Sequence, residues 1–321
     1  MAASASPALF SLSPSVYTPF AKMRFADCIR GTLTLADGAW GTQLIGLGGQ
    51  LTECLDAWNL IHPDRVRQVA DSYIRAGSRV ILTNTFRSNP ISLAQYGLDN
   101  QCAAINRAAV RISRQAAGGS AMVFASIGPI GKPPLQGELT HKLLQHAFSE
   151  QAQALAAESP DAILIETMTD VEEARIASAA ALETGLPVVV SFVFLPGGSA
   201  NPPGKSVTPT QFASALAADG VHGIGANCID IQESISVCKE LAAASSLPIW
   251  IKPNAGLPEV TGGMLVYKTS PNDFAAFAPH LRDAGATFLG GCCGTTPEFI
   301  RALARQISSQ SLAATNLPSQ R

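Results

Sequence analysis

Near the end of the chain lies the sequence GGCCGTTP, residues 290–297, directly after the apolar run at 286–289. An ordinary disulfide between adjacent cysteines is strained, because their short ring opposes the usual dihedral near 90°. Two thiolates at one point therefore indicate a metal ion, and a catalytic zinc usually takes a third protein ligand and leaves its fourth position open. Cys228 stands in a similar setting, at the end of the short run GIGANC, residues 223–228, which is typical of a buried strand that enters a loop. The sequence thus predicts a zinc site formed by Cys228, Cys292 and Cys293.

Two other interpretations of the thiols stay open at this point. Free cysteine is most often a small buried apolar residue, and this fits the scattered Cys28, Cys54, Cys102 and Cys238. It fits the pair at 292–293 poorly, because glycines flank the pair on both sides. The other interpretation is a strained vicinal disulfide that acts as a redox switch.

Short apolar runs alternate with longer amphipathic segments along most of the chain. The predicted strands are Leu33–Ala36, Arg79–Thr83, Met122–Ser126, Ala162–Ile165, Pro187–Val193, Gly223–Ala226, Pro248–Lys252 and Thr287–Leu289. Their continuous apolar character is typical of parallel strands that are covered on both faces. Eight strand–helix units predict an α/β fold, a single-domain (β/α)8 TIM barrel, which usually needs about 250 residues. A doubly wound open sheet is the alternative, but no G-x-G-x-x-G follows the first strand.

Helix boundaries support this alternation. Caps at the helix N-termini are predicted at Asp170, Thr208, Ser270 and Thr296. Helix ends are predicted at Gly77, Gly97, Gly185, Gly220 and Gly285. We expect residues 26–307 to form the barrel, residues 1–25 a disordered N-terminal tail and residues 308–321 a C-terminal tail. A transit segment is the alternative for the Ser-rich N-terminus.

Composition excludes several classes of protein. The 321 residues include 22 Lys and Arg against 24 Asp and Glu, so no basic field indicates nucleic acid. No uninterrupted apolar run approaches the roughly 20 residues of a membrane helix. Seven cysteines in a chain of this length do not resemble the disulfide framework of a small secreted domain. We therefore expect a reducing, cytoplasmic location.

Active sites of TIM barrels lie where the strands end at the C-terminal face. The residues expected there, besides the cysteines, are Asp37, Gly38, Ala39, Asn84, Glu166, Asn227 and Asn254. Long loops at 126–140, 195–209 and 253–272 are predicted to wall and cover a small-molecule site. The five histidines fall away from the strand ends, so none is predicted as a metal ligand.

Several motifs resemble those of the zinc-dependent homocysteine S-methyltransferases, over nearly the whole chain. They are LADGAWGTQL at 35–44, RAGSRVILTNTF at 75–86, SIGP at 126–129, LIET at 164–167, GANC at 225–228, PNAG at 253–256 and GGCCGTTP at 290–297. Within this family the sequence is most similar to the homocysteine-binding module of cobalamin-dependent methionine synthase, especially at 83–86 and 266–275. No folate-binding or cobalamin-binding portion is expected to follow the barrel.

The resemblance implies transfer of a methyl group to the thiol of homocysteine, which gives methionine, with the thiolate activated on the three-cysteine zinc site. The methyl donor stays open among betaine, S-methylmethionine, S-adenosylmethionine and a methyl-corrinoid protein, and a selenol acceptor is a further alternative. A second hypothesis is a homocysteine- and zinc-binding module that works only with a separate methyl-corrinoid partner. Neither nucleic acid nor a membrane is an expected partner.

The resemblance also suggests roles for the other strand ends. Glu166 is expected to bind the substrate α-ammonium group, or otherwise to stabilise a helix start near Asp170. Asp37, with the backbone amides of Gly38 and Ala39, is expected to hold substrate, or otherwise to form an Asx turn. Three alternatives stay open for Asn84, Asn227 and Asn254. They are expected to bind substrate, to support the metal ligands, or to be ordinary buried turn residues. Trp40 is expected to wall the donor site, whereas Trp58 and Trp250 are expected to pack in the core or on the surface.

Overall fold

The computed structural model describes residues 25–28, 33–130, 138–194, 207–257, 259–261 and 264–315. The predicted N-terminal tail up to residue 24, the middle of the loops at 126–140 and 195–209, and the last six residues lie outside the described part. No helix within these ranges is long and apolar enough to cross a membrane.

Eight parallel strands form one sheet that curves into a barrel. They are β1 (Thr34–Leu35), β2 (Val80–Leu82), β3 (Met122–Ile127), β4 (Ala162–Met168), β5 (Val188–Phe192), β6 (Gly223–Asn227), β7 (Ile249–Lys252) and β10 (Ala286–Leu289). Their order in the sheet is β1-β10-β7-β6-β5-β4-β3-β2. A backbone hydrogen bond of 2.7 Å from Arg79 N to Leu35 O joins the two end strands. The predicted (β/α)8 barrel is therefore confirmed.

Helices surround the sheet in the order that the sequence predicts. They are α1 (Phe25–Cys28), α2 (Trp40–Gly46), α3 (Trp58–Ile61), α4 (Pro63–Ala76), α5 (Pro90–Leu93), α6 (Cys102–Ala117), α7 (Glu138–Ala156), α8 (Val171–Leu182), α9 (Pro209–Ala218), α10 (Ile231–Ala244), α11 (Pro271–Ala275), α12 (Ala278–Asp283) and α13 (Pro297–Thr315). Within the described residues, three short 3-10 helices lie at Leu55–Ala57, Ala94–Tyr96 and Asp99–Gln101. The last helix continues beyond the domain boundary predicted at residue 307.

The four predicted helix caps are observed, and at Thr296 the side-chain oxygen accepts from Glu298 N at 3.3 Å at the start of α13. The side chains of Asp170, Thr208 and Ser270 accept hydrogen bonds from backbone amides in the first turns of α8, α9 and α11. Thr208 and Gln211 form a capping box, in which each side chain bonds the backbone of the other. Positive φ angles at the five predicted glycines, such as 113° at Gly77, end the preceding helices.

Side chains from the strands separate into two apolar layers. Val123, Ala125 and Ile163 pack outwards in the core between sheet and helices, whereas Phe124 and Leu164 pack in the barrel interior. Alternation of this kind follows from the two-residue period of a strand. Both layers are apolar, which explains why the strands read as continuous apolar runs.

The interior changes from apolar to polar towards the C-terminal ends of the strands. Its apolar layer contains Phe124, Leu164, Val189, Trp250 and Phe288, with Phe25 of α1 packed beneath it. Two residues further along the same strands stand Ser126, Glu166, Ser191 and Lys252, all buried. The barrel therefore has an apolar base and a buried polar floor below its C-terminal face.

Gly225 makes room for the largest interior side chain. A Cβ atom on Gly225 would lie 2.0 Å from the carbonyl oxygen of Trp250 and 2.6 Å from its Cβ. Because no real side chain tolerates these distances, the glycine is what allows β6 and β7 to approach with Trp250 inside the barrel.

The structure corrects several predicted boundaries. Glu166 and Thr167 lie within β4 and Asn227 ends β6, although all three were expected to follow their strands. The segment at 253–272 is not wholly loop, because β8 (Glu259–Thr261) and β9 (Met264–Val266) pair in an antiparallel hairpin. Polar residues at buried strand ends conceal the continuation of a strand when apolar runs are the only signal.

Candidate active site

A cleft of about 560 Å³ opens at the C-terminal face of the barrel. Its floor contains Ser126, Glu166 and Lys252 together with the three predicted zinc ligands, and Trp40 and Phe86 contribute to its walls. The loops after β1, β2, β6 and β10 all reach it, as expected for a site on this fold. Predicted residues from distant parts of the sequence therefore converge at one place.

The three cysteines lie together. The sulfur atoms of Cys228, Cys292 and Cys293 lie within 4.8 Å of one another, and the sulfurs of Cys228 and Cys293 are 3.7 Å apart. Two sulfurs bonded at about 2.3 Å to one tetrahedral zinc would lie about 3.8 Å apart. The same 3.7 Å is far beyond the roughly 2.05 Å of a disulfide bond, so the arrangement fits a metal site.

Backbone hydrogen bonds from β7 and the loop after it hold the ligand loops in place. Cys228, which has a φ of 59°, donates its N–H to Lys252 O at 3.1 Å. Cys292 N donates to Pro253 O at 2.7 Å, and Cys293 N donates to the side-chain oxygen of Asn254 at 3.1 Å. The segment at 252–254 thus fixes all three cysteines relative to one another.

Charge within the thiol cluster also fits a cation. Hydrogen bonds from Cys228 and then Cys292 lower the pKa of Cys293. The pKa of Cys228 is raised, because its proton is shared with Cys292 and then with Cys293. Three neighbouring thiolates repel one another, so all three are ionised together only when a positive ion offsets their charge.

Asp37 and Lys252 form a buried ion pair at the cleft floor. Lys252 Nζ donates to Asp37 Oδ1 at 2.6 Å, and the two side chains are 3% and 0% exposed. The other carboxylate oxygen, Oδ2, accepts from Trp40 Nε1 and from Leu82 N, each at 2.7 Å. Burial alone would lower the pKa of Lys252, but the carboxylates of Asp37 and then Glu166 keep it raised.

Glu166 is the second carboxylate of the floor. Ser126 Oγ donates to Glu166 Oε1 at 2.5 Å. Burial raises the pKa of Glu166 to about 7, while the nearby charge of Lys252 opposes that shift. Its side chain lines the cleft and does not cap α8, because Asp170 caps that helix instead.

The three predicted asparagines are engaged with other parts of the protein. Asn84 Nδ2 donates to Leu55 O at 2.8 Å, and Asn254 accepts from the cysteine loop. Asn227 Oδ1 accepts from Thr167 N at 2.9 Å, and its Nδ2 lies 3.9 Å from Cys292 Sγ. These contacts support the ligand loops and the residue after Glu166.

The predicted backbone contact at Ala39 is also occupied. Ala39 N donates to Thr295 Oγ1 at 3.1 Å, and Ala39 O accepts from the hydroxyl of Tyr73 at 2.8 Å. A Cβ on the neighbouring Gly38 would lie 2.7 Å from the same hydroxyl. Gly38 is therefore required for the close approach of α4 to the first strand end.

Sequence reasoning missed four residues of the site. Lys252 was taken as the end of an apolar strand, and Ser126 as the start of a loop. Tyr267 follows the hairpin, its ring lies against Gly294, and its hydroxyl lowers the pKa of Cys293. Asp56 lines the cleft and accepts from Arg87 N at 2.7 Å and Ser88 Oγ at 2.8 Å. One signal could have identified Lys252. It lies two residues after Trp250 on the same strand, so a strand that points Trp250 into the barrel also points Lys252 into it.

Comparison with known families agrees with this site. The family model described as homocysteine S-methyltransferase matches residues 34–307. This chain belongs to the homocysteine S-methyltransferase family. The range takes in all eight barrel strands and the three cysteines, so the resemblance drawn from the motifs is confirmed.

Individual members of the family are similar to this chain, but some of them are much longer. Methionine synthases from Mycobacterium leprae and Mycobacterium tuberculosis are each 28% identical, over 85% and 88% of this chain. The chain spans only about a quarter of their length, 24% and 25%. The metallated homocysteine methyltransferase MmuM from Escherichia coli is 23% identical, with a TM-score of 0.75, covering 88% of this chain and 99% of that one. At this identity the structural likeness shows the shared fold.

Proposed function

We propose that this family member transfers a methyl group to the thiol of homocysteine at a zinc ion held by Cys228, Cys292 and Cys293. The convergence of three sulfur atoms within 4.8 Å at the cleft floor carries the proposal. Zinc bound there supplies a Lewis-acidic position that keeps a substrate thiol ionised at neutral pH, whereas a free thiol with a pKa near 8.5 is mostly protonated.

The protein's own residues orient the acceptor. Glu166 binds the substrate α-ammonium group, since its carboxylate lines the cleft beside the thiol cluster. Asn254 and Asn227 act as positioning residues, which hold the Cys293 amide and the backbone after Glu166. Gly38, Ala39 and Asn84 line the cleft next to this carboxylate, and Asp37 is buried behind the lining, where it pairs with Lys252.

Methyl transfer then needs alignment and exclusion of water rather than proton transfer. A lone pair of the acceptor sulfur forms the new sulfur–carbon bond, and the bond between methyl and donor breaks with its electrons staying on the donor. The three cysteine thiolates keep their surroundings electron-rich. Trp40 and Phe86, which line the cleft, shield the reacting atoms from water and wall the donor site.

A second candidate function is a zinc- and homocysteine-binding module that is active only with a separate methyl-corrinoid protein. The observation that favours it is the match to about a quarter of two methionine synthases. Under this alternative the same residues bind zinc and homocysteine, and turnover needs the partner.

The test combines metal analysis with a donor panel. Zinc-loaded protein is incubated with homocysteine and with betaine, S-methylmethionine, S-adenosylmethionine or a methyl-corrinoid protein, and methionine is measured. We expect one zinc per chain and methionine from one or more donors, with both lost in Cys228→Ser and retained in Cys102→Ser. Methionine only with the corrinoid protein supports the second candidate. No zinc in the wild type, or no methionine with any donor, contradicts the proposal.

A further inference from the structure

Lys252 is the positive charge of the cleft floor. Its side chain is 3% exposed yet lines the cleft, and it stands two residues after Trp250 on the strand whose inward side chains fill the barrel. Gly290 makes this path possible, because a Cβ there would lie 3.2 Å from Lys252 Cγ and 2.5 Å from Asp37 O. A buried lysine that faces a ligand cleft is costly unless a charge or ligand satisfies it.

We propose that Lys252 Nζ binds the α-carboxylate of the acceptor, so that Lys252 and Glu166 together select a free amino acid thiol. This inference rests on the proposed function, since it assigns the acceptor to the same cleft. Among the described residues, Nζ makes one hydrogen bond, to Asp37 Oδ1. A lysine ammonium has three donors, which leaves capacity for a carboxylate.

The other donors near the floor fit a carboxylate less well. Ala39 N, which the sequence suggested as a substrate contact, already donates to Thr295 Oγ1. Arg87 is the other cation that lines the cleft, but its side chain is exposed at the rim, where water screens its charge. Lys252 is buried and lines the same cleft as Cys228, Cys292 and Cys293.

Asp37 acts as a positioning residue for Lys252. Its two oxygens accept three hydrogen bonds, from Lys252 Nζ, Trp40 Nε1 and Leu82 N. Asp37 therefore has fewer free acceptor positions for a substrate ammonium group than Glu166. The described hydrogen bond of Glu166 comes from Ser126 Oγ. The floor thus presents one anion and one held cation to a zwitterion.

Ligand binding can separate the two charges without any methyl transfer. Calorimetry on zinc-loaded and metal-free protein compares methionine with 3-(methylthio)propylamine, which lacks the carboxylate, and with 4-(methylthio)butanoate, which lacks the ammonium group. Because a hydrogen bond to a charged group contributes roughly 1.5–3 kcal/mol, we expect methionine to bind about 10- to 100-fold more tightly than the amine.

Variants assign that preference to a residue. In Lys252→Met the preference for methionine over the amine should fall to near one, while affinity for the amine stays within a few-fold. Glu166→Gln should instead remove the preference over the butanoate. The matched control Arg87→Met, which removes the exposed cation, should keep both preferences. The double variant Asp37→Asn with Lys252→Met avoids an unpaired buried aspartate and gives the readout if the single variant does not fold.

Two results would overturn the assignment. One is a double variant that still prefers methionine over the amine as the wild type does. The other is an equal loss of affinity for methionine and the amine, which a purely structural role of Lys252 would produce. If the donor panel gives no methionine but these preferences are found, the proposed function fails and the ligand assignment stands.

Discussion

Asn227 holds Thr167 in a left-handed backbone conformation. Its Oδ1 accepts from Thr167 N at 2.9 Å, and its Nδ2 donates to Thr167 Oγ1 at 2.7 Å. Thr167 has a φ of 62°, which is unfavourable for a β-branched residue. The conformation directs the chain just after Glu166, so an asparagine of β6 fixes the position of a carboxylate on β4.

Replacing Asn227 by alanine should therefore affect both stability and the site. The amide of Thr167 and the hydroxyl of Ser191, which donates to Asn227 Oδ1 at 2.7 Å, would lose their buried partner. We expect unfolding free energy to fall by about 2–4 kcal/mol and methionine to bind more weakly, by denaturant titration and calorimetry. Asn272→Ala, on the exposed face of α11, is the control. Equal stability of the two variants would show that Asn227 does not hold Thr167.

Tyr267 supports one of the proposed zinc ligands from outside the cluster. Burial raises the pKa of its hydroxyl to about 12, so the hydroxyl stays protonated, and its interaction with Cys293 helps to lower the pKa of that thiol. Its ring covers Gly294, where a Cβ would lie 2.3 Å from the ring. Tyr267→Phe should weaken zinc binding by roughly 10- to 100-fold, as removal of such outer partners does. Competition with a chelator measures this.

The control for Tyr267 is another tyrosine of the same cleft. Tyr96 lines the cleft and is 40% exposed, so Tyr96→Phe should leave zinc affinity unchanged. A Tyr267→Phe variant with wild-type zinc affinity would show that Cys293 binds the metal without help from the phenol.

Asp56 should make stability depend on pH. Burial raises the pKa of this carboxyl from 3.8 to about 6, so between these values the folded chain binds more protons than the unfolded chain. Its contribution is fully present below about pH 4 and is lost as pH rises through about 6, by at most about 3 kcal/mol. Asp56→Asn should flatten the fall in stability across this window, measured by denaturant unfolding. An identical slope in wild type and variant would contradict the assignment.

The sequence predicts the frame of this molecule because its signals are local. Apolar runs, caps such as Thr208 and helix-ending glycines such as Gly77 each act within a few residues. The convergence of Cys228 with the pair at 292–293 then follows from the barrel, since strand ends at one face lie close together. No detail of side-chain pairing was needed for either conclusion.

The hydrogen-bond and ion-pair partners of the buried polar side chains could not be predicted from the sequence, because they lie on different strands across the barrel. Lys252 and Asp37 are 215 positions apart in the sequence, and a lysine at a strand end is usually solvated. For Asn227 the sequence left substrate binding, support of the ligands and a buried turn open, and its hydrogen bonds in the structure go to Thr167 and Ser191. Whether a polar strand end faces a ligand or a neighbouring strand is decided by register, which the sequence does not display.

Zinc X-ray absorption tests the central claim most directly, namely that Cys228, Cys292 and Cys293 bind one zinc that also binds the acceptor thiol. We predict three sulfur neighbours at about 2.3 Å in the zinc-loaded protein and four after homocysteine is added. Fewer than three sulfur neighbours, or a count that homocysteine leaves unchanged, would contradict the account.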